Sequence, residues 1–226
     1  MNLNKTKRIK IKGKKIYMHE RSDNYLKQCA VVGKPNVGKT LFVINFSEFL
    51  GIKELEFEVT AFNGMKMIKK YSIKKAIEEL VDDNPHKTRQ IHSIIVNLPL
   101  NKGKKTIKFI DTIGFTDGIH PEQDIRRAIS QTLQVVQTAD IILHIIDASA
   151  IEKKLPNSIG EIDLSIAQFA EIKKGYCILA NKIDLLEGKE NLEILKEQFK
   201  GNLIIPISAK YKKGFKEVRA FVINAV

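Results

Sequence analysis

The chain has 226 residues, 43% hydrophobic and 28% charged, with 38 Lys and Arg against 26 Asp and Glu for a net charge of +12. That is enough chain to bury one good core, and two cysteines are too few for a disulfide-stapled scaffold. No apolar run reaches the length of a membrane span or a signal-peptide core, so a cytoplasmic protein without a transmembrane segment is expected.

Residues 1–27 form a basic arm, with nine Lys and Arg against Glu20 and Asp23, which is +7 of the total. Within it KRIKIKGKKIYM alternates basic and apolar residues around Gly13, a hairpin pattern that needs support from elsewhere. Two readings stand. Such an arm binds a phosphate backbone by releasing counterions, or it is a solvated tail. Tyr17 and Tyr25 are its only aromatics, which argues against sequence-specific single-strand binding.

From Gln28 the pattern changes. QCAVVG (Gln28–Gly33) reads as a buried parallel strand, and TLFVINFSEFL (Thr40–Leu50) as a helix. Between them GKPNVGKT, which is Gly33, Lys34, Pro35, Asn36, Val37, Gly38, Lys39 and Thr40, fits G-x-x-x-x-G-K-[ST]. Glycines at such a junction let backbone amides turn inward on an anion, and the helix N-terminus adds its positive end. Lys39 then reaches β- and γ-phosphates, and the Thr40 hydroxyl ligates magnesium.

Residues 51–85 read as an insertion, folded at least over Ile68–Asp83, where Ile73, Ile77, Leu80 and Val81 have helical spacing. Ile91–Leu100, a turn NKGKK and TIKFID (Thr106–Asp111) form a predicted β-hairpin. It leads into DTIG, Asp111–Gly114. Asp111, at a strand's carboxyl end, holds magnesium through water, and the Gly114 amide meets a γ-phosphate with no side chain in the way.

YCILA (Tyr176–Ala180) is another buried strand, followed by NKID. Asp184 there suits guanine, whose N1 and N2 donors adenine lacks; a carboxylate left unpaired by the wrong base is costly. Asn181 braces the loop and contacts N7, and the Lys182 stem covers the base. Ser208, Ala209 and Lys210 follow LIIPI (Leu203–Ile207), placing a backbone amide near guanine O6. Cys29, Cys177 and His144, all within apolar strands, are expected to be core residues. Strands alternating with helices predict an α/β fold, a doubly wound and mostly parallel sheet with one antiparallel strand, over residues 28–226.

In this order the four motifs resemble those of P-loop GTPases of the translation-factor-related class, most like the Era and TrmE branch of bacterial GTPases. The resemblance implies a switch that hydrolyses GTP to GDP with magnesium, and ribosomal RNA or the ribosome as partner of the arm. It also implies a switch I threonine. Thr60 lies twenty residues past Thr40, the more usual spacing, but the hairpin fixes the distance upstream of Asp111 and selects Thr88. Lys39, Thr88 and Gly114 are then the catalytic set, and Thr40, Thr88 and Asp111 the metal set.

Phe115 stands where Ras-like enzymes carry a water-positioning glutamine, so hydrolysis must recruit another group. The resemblance suggests a homodimer through the switch loops, an acid among Asp117, Glu122 and Asp124, or an outside partner. At Asn36 the relatives coordinate potassium; a turn residue with unusual dihedrals is the other reading. Two rival functions remain open: a GTP-dependent dimerising or RNA-binding scaffold with negligible hydrolysis, and an ATP-using kinase, which NKID opposes.

Overall fold

The structure is a computed structural model, and it describes residues 6–11, 14–19, 26–61, 65–81, 90–100, 103–116, 122–151, 159–173 and 175–225. In the arm, β1 (Thr6–Ile11) and β2 (Lys14–His19) pair antiparallel with Ile9 opposite Ile16.

The remaining elements in chain order are β3 (Lys27–Val32), α1 (Lys39–Phe49), β4 (Glu54–Thr60), β5 (Lys66–Ser72) and α2 (Ile73–Leu80). There follow β6 (Ile91–Pro99), β7 (Lys104–Asp111), α3 (Gln123–Thr138), β8 (Ile141–Asp147) and a short 3-10 turn, Ala148–Ala150. The chain continues through α4 (Glu161–Ala170), β9 (Gly175–Asn181), α5 (Leu186–Glu190), α6 (Leu192–Gln198), β10 (Ile204–Pro206) and α7 (Phe215–Ala225).

Eight strands form one sheet in the order β10-β9-β8-β3-β7-β6-β4-β5. The first five run parallel, and β6, β4 and β5 are each antiparallel to the strand before them in that order. Two strands, β6 and β5, therefore run against the other six. The expected antiparallel strand is β6. It joins β7 as predicted, with Ile94 opposite Phe109 and Val96 opposite Ile107.

The insertion folds differently from the helix expected over Ile68–Asp83. Its first part is the hairpin β4–β5, and the helix begins only at Ile73, where the Ser72 hydroxyl accepts from the Lys75 amide at 3.3 Å. The reason is local. ELEFEVT alternates acid and apolar residues, a two-residue period that buries Leu55, Phe57 and Val59 while Glu54 and Glu56 stay exposed.

Helices cover both faces, which is why the parallel strands are apolar throughout. Along β3, Cys29 and Val31 face a core with α1, α2 and α7, while Ala30 and Val32 face a second core with α3, α4 and α6. Five phenylalanines, Phe42, Phe46, Phe49, Phe109 and Phe215, meet beneath α1 with ring centroids 5.1–6.0 Å apart. Both cysteines are free and fully buried, as expected, and burial raises their thiol pKa values. Among the described residues no helix is long and apolar enough to cross a membrane.

Candidate nucleotide site

The carboxyl ends of β3, β7, β8 and β9, and the loop after β10, all lie along one edge of the sheet. They carry the phosphate loop, Asp111, Asp147, Asn181 and Ser208 in turn. Parallel strands put these ends together, and β3 has neighbours from later in the chain on both sides, the topology that opens a ligand crevice.

The phosphate loop bends as its glycines allow. Gly33 and Gly38 have φ of 141° and 97°. A Cβ on Gly38 would meet Asn181 Nδ2 at 2.5 Å. The N-terminus of α1 receives no side-chain cap, so its first amides are donors for an anion. Lys39 Nζ donates to the Lys34 carbonyl at 2.5 Å. Burial lowers its pKa to about 8, against the opposing pull of Asp111 and Asp163. A phosphate there would relieve that desolvation.

Thr40 Oγ1 donates to Asp111 Oδ2 at 2.8 Å, although the two lie 71 residues apart in sequence. Asp111 is 1% exposed, and its Oδ1 is buried without a hydrogen-bond partner among the described residues. A hydroxyl and a carboxylate with an oxygen to spare fit a hard cation such as magnesium. Among the described residues no cluster of three His, Cys, Asp or Glu exists. Gly114 packs on the loop so closely that a Cβ would sit 2.5 Å from the Pro35 nitrogen. Phe115 donates its amide to the Gly33 carbonyl at 3.2 Å, and its side chain is buried in the core that includes Val136 of α3.

Asn181 ties the two halves of the site. Its Nδ2 donates to the Val37 carbonyl at 2.7 Å, and its Oδ1 accepts from the Ala209 amide at 2.9 Å. Asn45 of α1 holds the Ala209 carbonyl at 2.8 Å. Lys182 adopts a left-handed φ of 67° and pairs with Asp147 at 2.6 Å. Asp184 is half-buried, Ser208 and Ala209 are buried, and Lys210 is exposed with its ammonium over the Tyr211 ring.

Sequence reasoning missed several partners. Asp147 ends IILHIID as Asp111 ends TIKFID, a signal that was legible. Gly188 lies so close to the Lys182 carbonyl that α5 leaves no room for a side chain. Asp163 is 4% exposed and accepts from His144 Nε2 at 3.0 Å, while His144 Nδ1 meets the Tyr176 hydroxyl at 3.0 Å. The same carboxylate pairs with Lys34 at 3.4 Å, linking α4 to the phosphate loop. A cavity of about 190 Å³ opens there, lined by Lys34, Asn36, Asp147, Asp163 and Lys182. A larger groove of about 410 Å³ lies on the α3 face of the sheet and touches none of the motifs.

Thr88 and Asp117 lie outside the described residues. Thr60 ends β4 opposite Ile91 and lines the larger groove rather than the phosphate crevice. Glu122 and Asp124 begin α3 at the surface, Asp124 being 3.8 Å from Arg127. Asn36 is exposed with a left-handed φ of 59°.

A doubly wound sheet carrying this phosphate loop, DTIG and NKID along one edge defines a P-loop GTPase of the Era and TrmE kind. The chain belongs to the family described as 50S ribosome-binding GTPase, whose model matches residues 66–182, just over half of it.

That match begins after the phosphate loop. Alignments with relatives extend further. The tRNA modification GTPase MnmE of Aquifex aeolicus is 32% identical over 200 residues, which is 87% of this chain and 34% of MnmE. So long an alignment leaves out too few residues to miss Gly33–Thr40. GTPase Der of Buchnera aphidicola is 29% identical over 214 residues, covering 89% of this chain and 39% of Der. GTPase HflX of Hyperthermus butylicus is 35% identical over 121 residues, 50% of this chain and 31% of HflX. The chain thus spans about a third of the length of these curated relatives.

Among solved structures, Era in complex with MgGDPNP and a segment of 16S ribosomal RNA superposes with a TM-score of 0.60 at 22% identity, over 88% of this chain and 56% of Era. The G domain of T. maritima FeoB gives 0.52 at 19% identity, over 89% of this chain and 99% of that domain. At these identities the likeness concerns the fold.

Proposed function

We propose that the chain is a GTP-binding molecular switch that hydrolyses GTP to GDP and phosphate, slowly when unaided. The observation that supports this most is the Asn181 amide, which joins the phosphate loop to the Ser208–Lys210 loop. One crevice would then hold both ends of a nucleotide. Lys39 and the loop amides would bind the β- and γ-phosphates, and Gly114 would offer its amide to the γ-phosphate. Thr40 and Asp111, with Thr88 as the switch threonine, would supply oxygens for magnesium, which when bound would neutralise charge on the phosphate oxygens. Asp184 would accept from guanine N1 and N2, the Lys182 stem would cover the base, and the Ala209 region would donate to O6.

Water positioning must come from a group other than Phe115. A potassium ion at Asn36, a switch II acid or a second copy of the chain are the candidates the family offers. By analogy with the family's description and with Era's RNA complex, the arm would touch ribosomal RNA.

Calorimetry with GDP, GTP and ATP tests the reading. Guanine nucleotides should bind and ATP should not, and Asp184→Asn should shift preference towards xanthosine triphosphate, whose extra carbonyl suits an amide. Equal affinity for ATP and GTP would overturn it. Turnover should lie on the order of 10⁻⁴ to 10⁻² per second, and should rise when potassium replaces sodium if Asn36 holds the ion. The buried side chain of Phe115 favours one second reading, a GTP-dependent scaffold; no turnover under any salt or with ribosomes would select it.

A further inference from the structure

His92 is the second residue of β6 and stands opposite Asp111 in the ladder with β7. It is only 6% exposed. Its Nδ1 lies 3.9 Å from Asp111 Oδ2, about an ångström beyond hydrogen-bond length. Neither His92 Nδ1 nor Asp111 Oδ1 has a hydrogen-bond partner among the described residues. Two buried orphan atoms on neighbouring side chains are unusual and call for a reason.

The insertion is what buries the imidazole. Val59 stands opposite His92 in the β4–β6 ladder, and the Phe57 ring centroid lies 5.8 Å from that of His92. Without β4, β6 would be the edge of the sheet and His92 would face water. The hairpin therefore turns a rim residue into a confined neighbour of Asp111.

We propose that His92 is a positioning residue for the magnesium site: its Nδ1–H closes on Asp111 Oδ2 and fixes the carboxylate with Oδ1 aimed at the metal's water shell. Oδ2 already accepts from Thr40 at 2.8 Å. A second donor to the same oxygen leaves Oδ1 as the atom that meets the ion's waters. The Nδ1–H tautomer is the one required. The inference rests on Thr40 and Asp111 being the magnesium pair, and it gives the β4–β5 insertion a task at the site.

The test follows release of a fluorescent GDP from the full chain as magnesium is titrated, with Asp111→Asn as reference. His92→Phe keeps the ring and removes both nitrogens; it should raise the magnesium midpoint by about tenfold or more, the usual effect of losing an outer partner of a metal ligand. Release in EDTA should stay unchanged. His92→Asn, whose amide replaces Nδ1, should restore most of the loss. An unshifted midpoint in His92→Phe overturns the proposal, and so does an equal change of release in EDTA, which would mean a merely structural role. If release from the unmodified chain ignores magnesium, the assignment of Thr40 and Asp111 fails first, and the inference with it.

Discussion

At the scale of single residues, the site depends on side chains that face two ways. Asn181 spans two loops, and Asp163 accepts from His144 with one oxygen while pairing with Lys34 through the other. Asp163 is buried, so its charge is tolerated only because partners are in place. Asp163→Ala takes the acceptor from a fully buried imidazole and one partner from Lys34. It should destabilise the fold by about 3–5 kcal/mol and loosen the phosphate loop. Thermal denaturation and GDP affinity would show both effects, and a loss below about 1 kcal/mol would mean that water replaces the carboxylate. Asp163 was not legible in the sequence. Its segment, EIDLSIAQFA, reads as an amphipathic helix, and nothing local says that its acid turns inward to a histidine on β8. Gly33, Lys39, Thr40, Asp111 and Asp184 were singled out because phosphate and guanine chemistry demand those residue types at short, fixed spacing, and of these the structure joins Thr40 to Asp111 directly.

Elements add what no residue pattern could show. The hairpin β6–β7 was readable from the two strand patterns around NKGKK, and it is the ground on which Thr88 is proposed over Thr60. The β4–β5 hairpin was not read, because the helical spacing at Ile73 and Ile77 was extended back over IKKYS, from Ile68. There the strand is set by pairing with β4, with Tyr71 opposite Leu55. Thr60 lies in that hairpin and points to the α3 groove, so Thr60→Ala should leave hydrolysis unchanged while Thr88→Ala should reduce it, together with the GTP-dependent protection of residues 51–89 in hydrogen exchange. The reverse pattern would return the switch to Thr60. The hairpin also carries an acid-sensitive contact. Glu58 accepts from Lys108 at 2.9 Å and Lys66 at 3.2 Å, and the Lys108 bond foremost holds its carboxyl below the usual range. The unfolded chain then binds a proton that the folded one refuses, so this stability is complete above the ordinary carboxylate value and is lost as pH falls through the lowered one. With the side chain 30% exposed, the effect is small, at most about 1 kcal/mol. Glu58→Gln should lower the melting temperature slightly at neutral pH and flatten its fall below pH 4.5; equal acid slopes in both proteins would remove Glu58 from the account.

On the scale of the whole molecule, charge is divided unevenly between two parts. The arm of residues 1–27 holds +7 of the +12, while the lysines of the insertion are largely answered in place: Lys66 by Glu58, Lys70 by Glu56, Lys74 by Glu78 and Lys75 by Glu79. The insertion is therefore a poor substitute for the arm as a phosphate-backbone binder. Every motif of the nucleotide site starts at Gly33 or later. Deleting residues 1–27 should then leave GDP affinity nearly unchanged while cutting RNA or ribosome binding. Full-length binding should fall steeply with salt, with a logarithmic slope of about 0.7 for each single-strand phosphate neutralised, and the truncated chain should show a flatter slope. Little preference among RNA sequences is expected, because backbone contacts position without specifying. Filter binding of ribosomal RNA fragments across a salt series measures all three. Unchanged affinity and slope after truncation would make the arm a solvated tail, and would move the RNA contact to the remaining +5 of the GTPase domain, outside the lysines that the insertion already pairs.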